Sequence, residues 1–167
     1  RVAIARALAK EPELILLDEP FSQIDNFKKN SLRRKLFAYL KEKNIACIVA
    51  THDGNDALSF ADKMIVIQNH KLIANDTPQN LYQSLNIKYV ATLFDDVNEI
   101  SVNGKTILCY PHQLKVVQQS EIKAVVKNSY YKGSCWLIEA NLNGQSVFLN
   151  NHISIENKVT ISLSYNN

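Results

Sequence analysis

Two short apolar runs, each closing abruptly in polar residues and separated by one amphipathic segment, constrain this chain more than any other feature. The first is Leu14-Ile15-Leu16-Leu17, which ends in Asp18-Glu19-Pro20, and the second is Ile45 to Ala50, which ends in Thr51-His52-Asp53. Both are apolar at odd and even positions alike, the pattern of strands covered on two faces in a parallel sheet. Between them, from Asn26 to Lys43, Leu32, Leu36 and Leu40 recur every four residues among lysines and arginines. That spacing predicts a helix with one apolar stripe and a basic, solvated outer face. Strand, helix and strand in this order predict a βαβ unit.

The flanking sequence extends the pattern. Residues 1–10 are rich in Ala, Leu and Arg and predict a helix that stops before Pro12. A short helix over 55–60 leads to Met64-Ile65-Val66-Ile67, and Asn69-His70 turns the chain into Lys71-Leu72-Ile73-Ala74, an antiparallel hairpin at the sheet margin. Thr77-Pro78 has the chemistry of a helix start, which predicts helices over 78–85 and 88–94. Near residue 96 the character changes to short β-like runs punctuated by Asn103-Gly104 and Asn143-Gly144. The clearest hairpin joins 136–142 to 145–149 across the second Asn-Gly step. The expected fold class is therefore α/β, a parallel sheet with helices over residues 1–96, followed by a small all-β barrel or sandwich over 97–167.

Charge and composition narrow the function. With 19 Lys and Arg against 16 Asp and Glu the formal net charge is +3, and both parts of the chain divided at residue 96 carry only a small positive balance. Nothing in that points to nucleic acid. No apolar run approaches the roughly 20 residues needed to cross a bilayer as a helix. Cys47, Cys109 and Cys135 are widely spaced, with no CxxC pair and no neighbouring His, and read as reduced structural thiols in a cytosolic chain. The sequence opens without Met on Arg1-Val2-Ala3-Ile4-Ala5-Arg6, which reads as the interior of a helix, so a piece of a longer protein is expected. Its buried-type strands, deprived of neighbours, should then show apolar surface.

In an open parallel sheet, ligands gather beyond the carboxyl ends of the strands, where Asp18-Glu19 and His52-Asp53 should converge. Adjacent acids after a strand point to opposite sides of the backbone, so one can hold a hydrated Mg²⁺ while the other faces a water nucleophile. That arrangement suits phosphoryl transfer. The same acids also serve as ordinary turn residues elsewhere, and Asp53 has two open readings, orienting His52 or capping the next helix. His70, His112 and His152 read as hairpin and surface residues, and Trp136 as core of the β region.

These residues match a known family. Leu14 to Pro20 resembles the Walker B segment of ATP-binding cassette (ABC) transporter ATPases, and Phe21-Ser22-Gln23-Ile24-Asp25 resembles the D-loop that follows it. Ala50-Thr51-His52-Asp53 resembles the switch-histidine loop, and Arg1 to Ala9 is similar to the helix after the family's LSGGQ signature. In the second part, Tyr110-Pro111-His112-Gln113-Leu114 and Tyr131-Lys132-Gly133-Ser134 resemble elements of the OB-like TOBE domain appended to importer ATPases for sugars, iron, polyamines and oxyanions. Leu93 to Asn98 resembles the junction of ferric-iron and related importers, with Asp95 where a Gly often stands.

The resemblance implies the C-terminal part of a P-loop ABC ATPase fold followed by a TOBE-like regulatory domain. It implies ATP and Mg²⁺, with Asp18 holding the metal through water, Glu19 as general base or water-orienter, and His52 at the γ-phosphate. Ser22 and Asp25 are placed at the interface with a second ATPase subunit in a homodimer. The further implied partners are transmembrane permease subunits and, indirectly, a periplasmic or lipid-anchored solute-binding protein, with the ATPase peripheral on the cytoplasmic face of the membrane and no role for nucleic acid. No GxxxxGK[ST] loop, LSGGQ signature or glutamine loop occurs in the sequence, so this chain alone is expected to be inactive. Two other readings remain open: a solute- or partner-sensing regulatory module without catalysis, and a non-transport ABC-type ATPase.

Overall fold

Strands β1 (Leu14–Asp18) and β2 (Ala46–Ala50) pair in parallel, Leu14 opposite Ala46 and Asp18 opposite Ala50, in a computed structural model that describes residues 2–102 and 104–165. The crossover is α2 (Asn26–Glu42), and α1 (Val2–Leu8) precedes β1. The described chain divides into two compact units, residues 1–78 and 79–167.

In the first unit one face of the strand pair is dry. Ile15 and Leu17 pack with Phe21 against Leu36 and Leu40 of α2, and Ile4, Leu8, Leu32 and Phe37 close the margins. The alternate side chains Leu14, Leu16 and Ile48 are 50%, 69% and 61% exposed. The expectation of strands covered on both faces is thus met on one face only, because α2 covers that side and no described residue covers the other. After α3 (Gly54–Phe60), β3 (Met64–Gln68) and β4 (Lys71–Asp76) form a separate two-stranded antiparallel sheet, not a margin of the β1–β2 pair. Asn69 and His70 turn between them at φ 48° and 61°, and Asn and His tolerate this left-handed region better than most residues.

The second unit holds α4 (Pro78–Ser84) from Gln79 onward, α5 (Lys88–Thr92), and a β5–β6 hairpin (Asn98–Val102 with Lys105–Cys109). A five-stranded antiparallel sheet follows, in the order β10-β9-β8-β11-β7. Its strands are β7 (Leu114–Val117), β8 (Ile122–Tyr131), β9 (Trp136–Leu142), β10 (Gln145–Asn151) and β11 (Thr160–Tyr165). The expected hairpin is present, turned by Asn143 and Gly144 at φ 51° and 89°. Leu114, Ile138, Leu149 and Leu163 are wholly buried between this sheet and Ile100 and Cys109 of the hairpin. Burial pushes the Cys109 thiol up to about 11, so it stays protonated at neutral pH, as the reading of the cysteines as structural thiols requires.

The division at Pro78 lies well before the residue-97 boundary read from the change in composition. The physical reason is aromatic. Tyr82 of α4 stacks on Tyr110 with ring centroids 4.5 Å apart and meets Phe94 edge-on, while Val90 and Ala91 of α5 are buried and the Tyr110 hydroxyl donates to the Ala91 carbonyl. Periodicity reveals that 78–94 is helical but not which body a short helix packs on.

Buried Asn98 ties the hairpin to the sheet. Its amide donates to the Phe148 carbonyl at 2.7 Å, and its Oδ1 accepts from the Phe148 N–H at 2.6 Å. Replacing Asn98 with Ala leaves both part-buried backbone groups of Phe148 without this partner and should cost about 1–3 kcal/mol in urea unfolding. A loss under about 0.5 kcal/mol, the range of neutral surface changes, would show that water or another side chain takes over.

Candidate active site

Because β1 and β2 are parallel and in register, their carboxyl ends share one rim. The Glu19 N–H donates to the Ala50 carbonyl at 2.9 Å, extending the ladder by one residue. Glu19 then leaves the strand at φ 45°, a conformation that is costly for a residue with a side chain and that concentrates at functional sites. Ser22 closes the turn, its hydroxyl and its N–H both donating to the Glu19 carbonyl, at 2.9 and 3.2 Å.

The turn carries the Glu19 carboxylate to His52. Oε1 accepts the His52 backbone N–H at 3.1 Å and lies 2.5 Å from His52 Nδ1. An ionised carboxylate can only accept, so in that state Nδ1 is the donor of this contact. Among the described residues neither Glu19 Oε2 nor His52 Nε2 has a hydrogen-bond partner. The imidazole is 81% and the carboxylate 36% exposed. Asp18 ends β1 with an exposed side chain. Asp25 sits just before α2, where its carbonyl accepts from the N–H groups of Lys28 and Lys29 while its side chain caps nothing. Asp18, Glu19, Ser22 and Asp25 line one open recess of about 610 Å³. All five residues singled out in the sequence therefore gather at this rim, four along the recess and His52 through its bond to Glu19.

Asp53 caps α3 by accepting the Asn55 N–H at 3.1 Å, which settles the two open readings in favour of the cap. It also meets two cations that sequence reasoning assigned to a solvated face. Lys29 Nζ and Arg33 Nη2 lie 2.7 and 2.6 Å from Asp53 Oδ2. Arg33 Nε also pairs with Asp56 Oδ1. Thr51 Oγ1 donates to Asp56 Oδ2 and accepts from the Asp53 N–H. Arg33 is 5% exposed, whereas Arg34 and Lys35 beside it face solvent. The four-residue spacing of Lys29 and Arg33 was the available signal, since it puts both on one stripe of α2.

Partial burial works to raise the Asp53 pKa, but the hydrogen bonds from Lys29, Arg33 and the Asn55 backbone, with the Arg33 charge, outweigh it and hold the carboxyl well below the usual carboxylate range.

A metal requires a donor set. Among the described residues no three His, Cys, Asp or Glu side chains cluster closely enough to hold an ion. The uncommitted carboxylate of Asp18 at the strand end fits a hydrated Mg²⁺ whose remaining ligands are water and phosphate, and does not fit an all-protein cage.

The rim joins a strand-end acidic couple to a histidine at the ends of two parallel strands, and comparison with known proteins gives the class. The chain is homologous over nearly its whole length to the ATP-binding proteins of ABC importers. The Fe(3+) ions import ATP-binding protein FbpC of Haemophilus influenzae (strain 86-028NP) is 34% identical over 183 residues, taking in 92% of this chain and 52% of that protein. The protein of the same name from Yersinia pestis bv. Antiqua (strain Antiqua) is 51% identical over 82 residues, 49% of this chain and 24% of that one. The chain spans about half the length of the curated relatives it matches. No family model matches. Among solved structures, a metal-chelate type ABC transporter in an inward-facing conformation aligns with 63% of this chain and 41% of its own at 25% identity, with a TM-score of 0.49, too low to carry weight for the fold.

The depressed Asp53 pKa has a definite sign. Unfolded Asp titrates near about 3.9, so its ion pairs stabilise the fold fully above that pH and are lost as pH falls below it toward the folded value. In urea unfolding at pH 7 the Asp53→Asn variant should be the less stable, and between pH 5 and pH 2 the gap to the parent should narrow. A gap independent of pH would mean that the carboxylate charge stabilises nothing.

Proposed function

We propose that this chain carries the hydrolytic rim of an ATP-binding subunit that couples ATP hydrolysis to solute import through an ABC transporter. The observation that carries the reading is the Glu19–His52 pair at the ends of two parallel strands, seen with the homology to importer ATP-binding proteins. Glu19 Oε2, left free by the bonding of Oε1, accepts a proton from or orients the attacking water. His52 is held by Glu19 through Nδ1, and Nε2, once it also carries a proton, donates to the γ-phosphate. Asp18 holds Mg²⁺ through water. The ion supplies charge neutralisation on the phosphates when bound. Ser22 and Asp25, on the same recess, face a second ATPase subunit, so the working form is a homodimer.

The grip on the phosphates belongs to a GxxxxGK[ST] loop, which does not occur in these 167 residues, so in this reading turnover is a property of the complete subunit and not of this chain alone. Residues 97–167 form the TOBE-like regulatory domain with an OB-like barrel, appended to the ATPase part read as 1–96, of which residues 79–96 pack on the β-rich unit. The complete subunit sits on the cytoplasmic face of the membrane against permease subunits, supplied indirectly by a solute-binding protein. No helix among the described residues is long and apolar enough to cross a membrane. The relatives are named for import of Fe(3+) ions, which favours ferric iron as the solute.

Glu19→Gln keeps the shape of the turn and removes the base. In the complete subunit it should lower ATP turnover by about 10² to 10⁴, the usual contribution of general base catalysis, with ATP still bound. A loss below tenfold would contradict the role assigned to Glu19.

A further inference from the structure

Arg33 touches both loops that build the rim. Its guanidinium carbon lies 5.4 Å from the ring centroid of Phe21, two residues beyond Glu19, and Phe21 is itself 2% exposed and locked edge-on against Phe37. Nη2 donates to Asp53, one residue beyond His52, and Nε forms an ion pair with Asp56, which in turn holds Thr51, one residue before His52. A further nitrogen donates to Asn30 Oδ1 at 3.2 Å, fixing the guanidinium to its own helix. The His52 backbone is thus gripped on both sides by residues anchored to Arg33, while the Glu19 turn is seated by the ring beneath the same guanidinium.

From this geometry we infer that Arg33 is a positioning residue: a strut from α2 that sets the distance between the Glu19 carboxylate and the His52 ring by bracing the Phe21 turn against the Thr51–Asp56 loop. The inference rests on the assignment of Glu19 and His52 as the working pair, and it adds a residue that touches neither nucleotide nor water. The chemistry explains why arginine stands here. Only a planar fork can bond two carboxylates at once and present a flat cation to an aromatic face, and lysine can do one of these but not both. Lys29 supplies the second positive charge and reaches Asp53 alone, so the link to Phe21 and to Asp56 runs through Arg33.

The test is a through-space NMR contact between the His52 ring and the Glu19 side-chain protons in this chain, read in Arg33→Lys and in the charge-balanced Arg33→Gln/Asp56→Asn. The double variant guards against the misfolding that two unpaired, poorly solvated carboxylates invite, and retained amide dispersion verifies the fold. Both variants should weaken the contact at least threefold and remove the response of the His52 amide to Glu19→Gln, while Arg34→Lys, on the solvent face, leaves both unchanged. In the complete subunit Arg33→Lys should lower kcat by about tenfold to a hundredfold with the KM for ATP changing less than threefold, since misplacing a reacting group by about 1 Å costs on that order. Parental contact intensity in either folded variant would overturn the inference. A complete subunit whose turnover ignores Glu19→Gln would instead overturn the assignment of the pair and leave the NMR result standing.

Discussion

The in-register parallel pairing of β1 with β2 is the constraint on which the site depends. Side chains in strands alternate, so slipping this pairing by one residue would turn Ile15 and Leu17 outward and carry Glu19 away from Ala50. What holds the register is burial under α2, where Leu36 and Leu40 meet Ile15, Leu17 and Phe21. Burial of this kind is non-directional, but the fit of one face to one helix is specific, and the Glu19 N–H bond to Ala50 fixes the last step. From there the strained φ of Glu19 turns its carboxylate to His52 on the same rim.

Much of this was legible in the residues because it follows from periodicity and from punctuation. The apolar runs, the four-residue leucine stripe and the Asn143-Gly144 step each specify one local geometry, and β1, α2, β2 and the β9–β10 hairpin lie within a residue or two of where those patterns put them. Strand polarity then places Asp18-Glu19 and His52 at a common rim. What the pattern could not supply was company. The apolar character of Leu14, Leu16 and Ile48 indicates strands meant to be covered on two sides, yet no described residue covers that face. Likewise α4 and α5 read as helices, but their attachment to the β-rich unit depends on the stacking of Tyr82 on Tyr110, a contact between residues far apart in sequence.

The least legible feature was the charge cluster behind the rim. Lysines and arginines on an amphipathic helix are nearly always solvated, and the run Arg33-Arg34-Lys35 does not by its composition say that one of the three is buried. Arg33 is buried because two acids that follow β2, Asp53 and Asp56, fold back over α2 and need cations, while Phe21 offers the ring above which one can lie. The same acids cap α3 and hold Thr51, so one set of short-range polar contacts shapes the loop that presents His52. The site's precision thus comes from two sources of different kind: an apolar contact that sets strand register, and a desolvated ionic contact that sets loop position.

The central claim is that Glu19 and His52 are bonded as a pair, carboxylate to Nδ1, with Nε2 left for a ligand. Nitrogen chemical shifts of the His52 ring in specifically labelled protein at neutral pH test this most directly. The account predicts a single tautomer with the proton on Nδ1, lost when Glu19 is replaced by Ala. A ring that instead carries its proton on Nε2, or exchanges freely between both tautomers regardless of residue 19, would contradict it.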